Sequence, residues 1–88
     1  MPILSVFYGI IVRMYREKGG KHNVPHIHVE VSGEEAVFDL NGELLEGNIP
    51  PSKRKLLEAW IVIHKEDLEV NWRLLSDGEQ FFRIDPLK

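Results

Sequence analysis

The sequence predicts an α+β fold: a small antiparallel sheet of four or five strands with one long or broken C-terminal helix packed on it. Three observations predict it. Apolar and polar residues alternate with a period near two through much of residues 3–49. Asn41-Gly42 is a strong hairpin signal within that stretch. After Pro50-Pro51 the apolar period lengthens to that of a helix. A chain of 88 residues accommodates one domain, residues 1–88, with a thin core.

Residues 3–15 are rich in Ile, Val, Phe and Tyr and interrupted only by Gly9, which reads as one strand with a bend or bulge at the glycine. Past the bend, Ile10, Val12 and Met14 share one face, and Ile11, Arg13 and Tyr15 share the other. A polar connection over 16–24 follows. It is longer than a tight hairpin needs, and long loops in compact domains often carry function. Pro25 fits the first position of the next strand and biases Val24 towards an extended conformation. In that strand His26, His28 and Glu30 line one face while Ile27, Val29 and Val31 line the other. The apolar set can be core, which leaves the imidazoles free for chemistry.

A strand over 35–40, the Asn41-Gly42 turn and a strand over 43–49 continue the meander. Beyond them, Leu57, Trp60, Ile61, His64, Leu68, Asn71, Trp72 and Leu75 fall in one stripe when wound at about 100° per residue. Ser52 is the candidate N-cap and Gly78 the terminator. Unbroken, a helix over 52–77 would run roughly 39 Å at 1.5 Å per residue, more than the diameter of so small a domain. A break is therefore expected near residues 65–67. A continuous helix would instead leave apolar surface around Trp72 and Leu75 for a partner to cover. Residues 81–85 read as a last short strand.

The composition, 43% hydrophobic and 28% charged, is that of a globular protein and not of a disordered one. With no cysteine there is neither a disulfide framework nor a thiolate nucleophile. No apolar stretch approaches the ~18 residues that cross a bilayer and no signal pattern opens the chain, so cytoplasm is the expected compartment and no membrane contact is expected. The net charge of −3 hides a segregation. Arg13, Arg16, Lys18 and Lys21 precede the second histidine, whereas residues 29–50 hold six acids (Glu30, Glu34, Glu35, Asp39, Glu43, Glu46) and no Lys or Arg. That balance argues against a dedicated non-specific nucleic-acid binder.

Chemistry concentrates at His22, His26 and His28. An imidazole exchanges protons near neutral pH, and nearby cations can stabilise a phosphorane, so His26, His28 and His64 are the candidate catalytic residues of a phosphodiester reaction on RNA. Arg13, Arg16, Lys21 and His22 are the candidate substrate-binding residues. His64 joins that group only if the helix covers the polar side of the sheet; otherwise it is a core histidine satisfied by a carbonyl or by Asn71. A zinc site would need His22, Glu30 or His64 as third ligand. Without cysteines or a second close ligand pair, no metal or cofactor is expected. Lys53, Arg54 and Lys55 in the first helical turn oppose the macrodipole, which suits an anion, an acidic partner surface or screening by solvent.

The stretches Phe7-Tyr8-Gly9-Ile10-Ile11-Val12-Arg13-Met14-Tyr15, His22-Asn23-Val24-Pro25-His26-Ile27-His28-Val29 and Leu45-Glu46-Gly47, with Trp60, His64, Leu68 and Asn71-Trp72, resemble the bacterial family called domain of unknown function 4160. The histidine segment is the most specific part. The family pattern there is Asp-His-x-Pro-Pro-His-Phe-His-Val, from which Lys21, Val24 and Ile27 depart. The resemblance implies a small partner protein, since members are often encoded beside a protein of domain of unknown function 2442 in toxin–antitoxin-like pairs. His26-Ile27-His28-Val29 also looks like part of the histidine-triad hydrolase motif, but Val24 stands at its first histidine and no glycine-rich phosphate cradle follows. The function expected is a toxin–antitoxin-type interaction module bound to a cognate small protein or to itself as a homodimer. The alternative is a small hydrolase, a ribonuclease.

Overall fold

The computed structural model describes residues 3–16 and 24–88. Strands β1 (Ile3–Phe7) and β2 (Ile10–Arg13) replace the single bent strand expected over residues 3–15. They form a hairpin because Tyr8 (φ 49°) and Gly9 (φ 77°) both enter the left-handed region, as the central residues of a two-residue hairpin turn must, closing on the Phe7–Ile10 pair. Ser32 and Gly33 (φ 49° and 83°) turn β3 (His26–Val31) into β4 (Glu34–Asp39) in the same way. Strand β5 (Leu44–Gly47) follows a longer connection. There the Asp39 carboxylate accepts from the backbone N–H groups of Asn41 (2.8 Å) and Glu43 (2.9 Å). The sheet order is β1-β2-β3-β4-β5, antiparallel throughout.

Helix α1 (Pro51–Ile63) starts at the proline pair. Pro50, extended at φ −56° and ψ 140°, occupies the N-cap position and Pro51 opens the first turn, where its missing N–H costs nothing. Ser52 therefore lies inside the helix and does not cap it. The expected break occurs at His64 (φ −110°, ψ 21°), between α1 and α2 (Lys65–Ser76). His64 N–H still bonds Trp60 O, the last bond of α1, and Leu68 N–H bonds His64 O, the first of α2, each at 3.0 Å, so the two helices meet end to end at the bend. Gly78 (φ 72°) terminates α2 with the Glu79 N–H on Leu74 O (2.8 Å) and the Gly78 N–H on Leu75 O (3.2 Å), a Schellman arrangement.

Both helices lie on the apolar face of the sheet. Leu57, Trp60, Ile61 and Leu68 pack into a cluster with Phe7, Ile10, Val12, Ile27, Val29 and Phe38. The overhang that a continuous helix would produce does not arise, because Trp72 and Leu75 pack partly buried against this cluster. No helix among the described residues is long and apolar enough to cross a membrane.

Residues 81–85 do not form the expected strand. Side chains serve them where a strand partner would: Asn71, fully buried, donates from Nδ2 to Phe82 O (3.0 Å) and accepts the Phe82 N–H on Oδ1 (2.9 Å). Trp60 Nε1 donates to Asp85 O (2.8 Å), and only the Ile84 N–H reaches a strand, at Leu4 O (2.8 Å). We expect Asn71→Leu to cost about 1–3 kcal/mol, since it leaves two backbone groups without partners. Urea unfolding measures this; a wild-type midpoint would mean that apolar contacts alone hold the segment.

Candidate functional site

Strand alternation puts His26, His28 and Glu30 on the sheet face opposite Ile27, Val29 and Val31, as the sequence predicts. The His26 and His28 rings meet edge to face at 5.2 Å. Arg13 is the cross-strand partner of His28 and donates to Glu30 at 3.0 Å. Just past β2, Tyr15 lays its ring on that of His28 (centroids 4.3 Å, 14° between planes), with the phenol oxygen 3.2 Å from Nδ1.

His26 has a different environment. It is 4% exposed, and its Nδ1 lies 2.7 Å from Val24 O. A carbonyl only accepts, so Nδ1 carries the proton of this bond. The Trp72 ring lies 5.2 Å from the imidazole, and the Arg16 guanidinium lies 5.5 Å over Trp72. Arg16 also donates to Ser76 Oγ (2.7 Å), and that hydroxyl donates to Trp72 O (2.8 Å). Tyr15, His28, His26, Trp72 and Arg16 thus form one continuous row that ties the end of β2 to α2.

Two clefts of about 170 and 30 Å³ open beside His28, lined by sheet residues and Tyr15. Glu35 borders both, Glu46 the larger and Glu30 the smaller. A roomier cleft of about 480 Å³ lies between the start of β3 and α2, with Val24, Pro25, Leu40 and Trp72 as its apolar wall and Lys65 and Arg73 among its polar residues.

Of the predicted site residues, His26, His28, Arg13 and Arg16 come together. His64 does not join them. The helices cover the apolar face, and His64 sits at the α1–α2 bend against Trp60 (5.5 Å) and 3.9 Å from the Asp67 carboxylate. Asn71, its suggested partner, is engaged by Phe82. Lys21 and His22 lie outside the described residues. Among the described residues no three His, Cys, Asp or Glu gather in a group that could hold a metal ion. In the first turn of α1, Lys53 donates to Tyr8 O, and Arg54 lies over the Phe38 ring and 3.9 Å from Glu58. These contacts offset the unfavourable macrodipole.

Sequence reasoning missed Tyr15 and Trp72 as members of the row. Tyr15 had a signal, since it shares the outer face of β2 with Arg13. Trp72 had none, because its place depends on how α2 crosses the end of the sheet.

The family model described as Domain of unknown function (DUF4160) matches residues 9–73. The chain belongs to the DUF4160 family. The segment that identifies it as DUF4160 runs from the β1–β2 turn into α2 and contains every member of the row. β1 and residues 74–88 lie outside the match. No curated protein and no solved structure matches this DUF4160 chain.

Proposed function

We propose that this DUF4160 protein is a protein-interaction module of toxin–antitoxin type that binds a small, basic partner protein over the open face of its sheet. The observation that carries the reading is the character of the surface at His28. Its larger cleft, about 170 Å³, is well under the ~300 Å³ at which small-molecule sites begin. The exposed Glu35 carboxylate borders it, and it repels a phosphodiester but suits a lysine or arginine side chain. The ring row supplies flat, preorganised contact area beside that charge. A protein of domain of unknown function 2442 is the kind of partner that the family resemblance implies. The ribonuclease reading has less support, because His26 is walled in by Trp72 and His64 lies elsewhere.

Calorimetric titration with the adjacent gene's product tests the proposal. Glu35→Lys is expected to weaken binding by about tenfold or more, as charge reversal at an interface does. The melt should move little, because the side chain is exposed. His28→Ala should also weaken binding while the protein stays folded. Undiminished binding by both variants would overturn the proposal, and RNA cleavage abolished by His28→Ala would favour the hydrolase.

A further inference from the structure

We propose that α1 pairs antiparallel with α1 of a second copy of this chain, through the stripe Lys55, Ala59, Val62 and Glu66. All four residues are exposed. They recur at spacings of four, three and four, as in the seam of two helices packed side by side, and the three on α1 lie on the side opposite Leu57, Trp60 and Ile61. The burial of α1 in its own core is already complete without this stripe. Yet Val62 is 76% exposed, and Ile63 beside it is 64% exposed. No other residue of a described helix exposes so large an apolar side chain so fully. Glu66 stands four residues beyond Val62, in the first turn of α2 across the bend at His64, and the proposed pairing brings its exposed side chain to Lys55 of the second copy.

The order of the residues identifies the occupant. Read along the helix, the stripe runs cationic, apolar, apolar, anionic; read in reverse, it is its own complement. A two-fold axis midway between Ala59 and Val62 sets Ala59 against Val62 of the second copy and Lys55 against its Glu66. Each pair forms twice, as an isologous contact requires. A partner of unrelated sequence has no need of this symmetry. The contact is one helix wide and separate from the histidine face, so it does not depend on the partner reading and leaves that face accessible.

Sedimentation of the full chain over a range of concentrations tests the pairing. The wild type is expected to move from one to two chain masses as concentration rises, and Val62→Glu should stay monomeric throughout. Lys55→Glu and Glu66→Lys each place like charges opposite one another twice, and each should weaken self-association by about fivefold or more, within reach of exposed ion pairs acting in duplicate. An equimolar mixture of these two single variants restores both attractions and should associate as the wild type does. All the substituted positions are exposed, so thermal melts at dilute concentration should match the wild type. A wild type that remains monomeric, or a dimer indifferent to Val62→Glu, overturns the proposal; a mixture no tighter than its components overturns the antiparallel register.

Discussion

Trp60→Ala is expected to cost about 3–5 kcal/mol, the range for deleting a large buried aromatic. Trp60 is fully buried, its ring lies 5.2 Å from that of Phe7, and its Nε1 holds Asp85 O. The loss therefore removes the packing between α1 and the sheet together with the anchor of residues 81–85. A domain of this size holds only roughly 0.05–0.15 kcal/mol per residue, so one substitution consumes much of the total. The melting temperature should fall by roughly 12–40 °C, at 4–8 °C per kcal/mol for a small domain. Trp60→Phe separates the two contributions, since it keeps most of the packing and gives up the bond to Asp85. A Trp60→Ala melt within a few degrees of wild type would show that the core does not depend on this ring.

Gly47→Ala should be nearly as damaging, although it adds a single methyl group at an edge strand. Gly47 has φ 75°, and a Cβ there would lie 2.2 Å from Glu35 O and 3.0 Å from Ala36 Cα. Both neighbours are backbone atoms in the strand it pairs with, so no side chain can swing aside. Left-handed strain of about 1–2 kcal/mol adds to overpacking of about 1–3 kcal/mol, and the natural relief is for β5 to leave the sheet. Gly33→Ala supplies the comparison, because φ is 83° there but nothing lies within 4 Å. It should show the strain alone. Equal losses of stability in urea for the two variants would mean that the close approach at Gly47 is relieved at little cost.

The class of fold was legible because period-two and helical patterns divide the chain at Pro50-Pro51, and β3 was legible down to the direction of each side chain. The hairpin at Tyr8-Gly9 was not. A tyrosine in the left-handed region carries none of the Asn or Asp chemistry that announces such a turn, so an apolar run containing two strands reads as one. Asn41-Gly42 did mark its hairpin, with Gly42 in the left-handed region, although the connection is longer than two residues and is organised by Asp39. Residues 81–85 have strand composition yet are held by Asn71 and Trp60, and no local pattern reveals a partner supplied by side chains distant in sequence. The same limit applies to the histidines. Alternation placed His26 and His28 side by side, but the burial of His26 depends on Trp72 and so on tertiary packing.

Strand order that follows chain order has a consequence for how the molecule is made. Each strand pairs with the one before it, so the sheet closes through short-range steps of the sort that make folding fast. The Tyr15–His28 stack needs only β2, β3 and the connection between them. The His26–Trp72 contact is of another kind, because it waits for β4, β5, α1 and most of α2 to be synthesised and docked. A nascent chain can therefore carry a finished sheet while its histidine row still lacks its far end. A partner that grips the row across both halves would distinguish completed molecules from those still emerging from the ribosome.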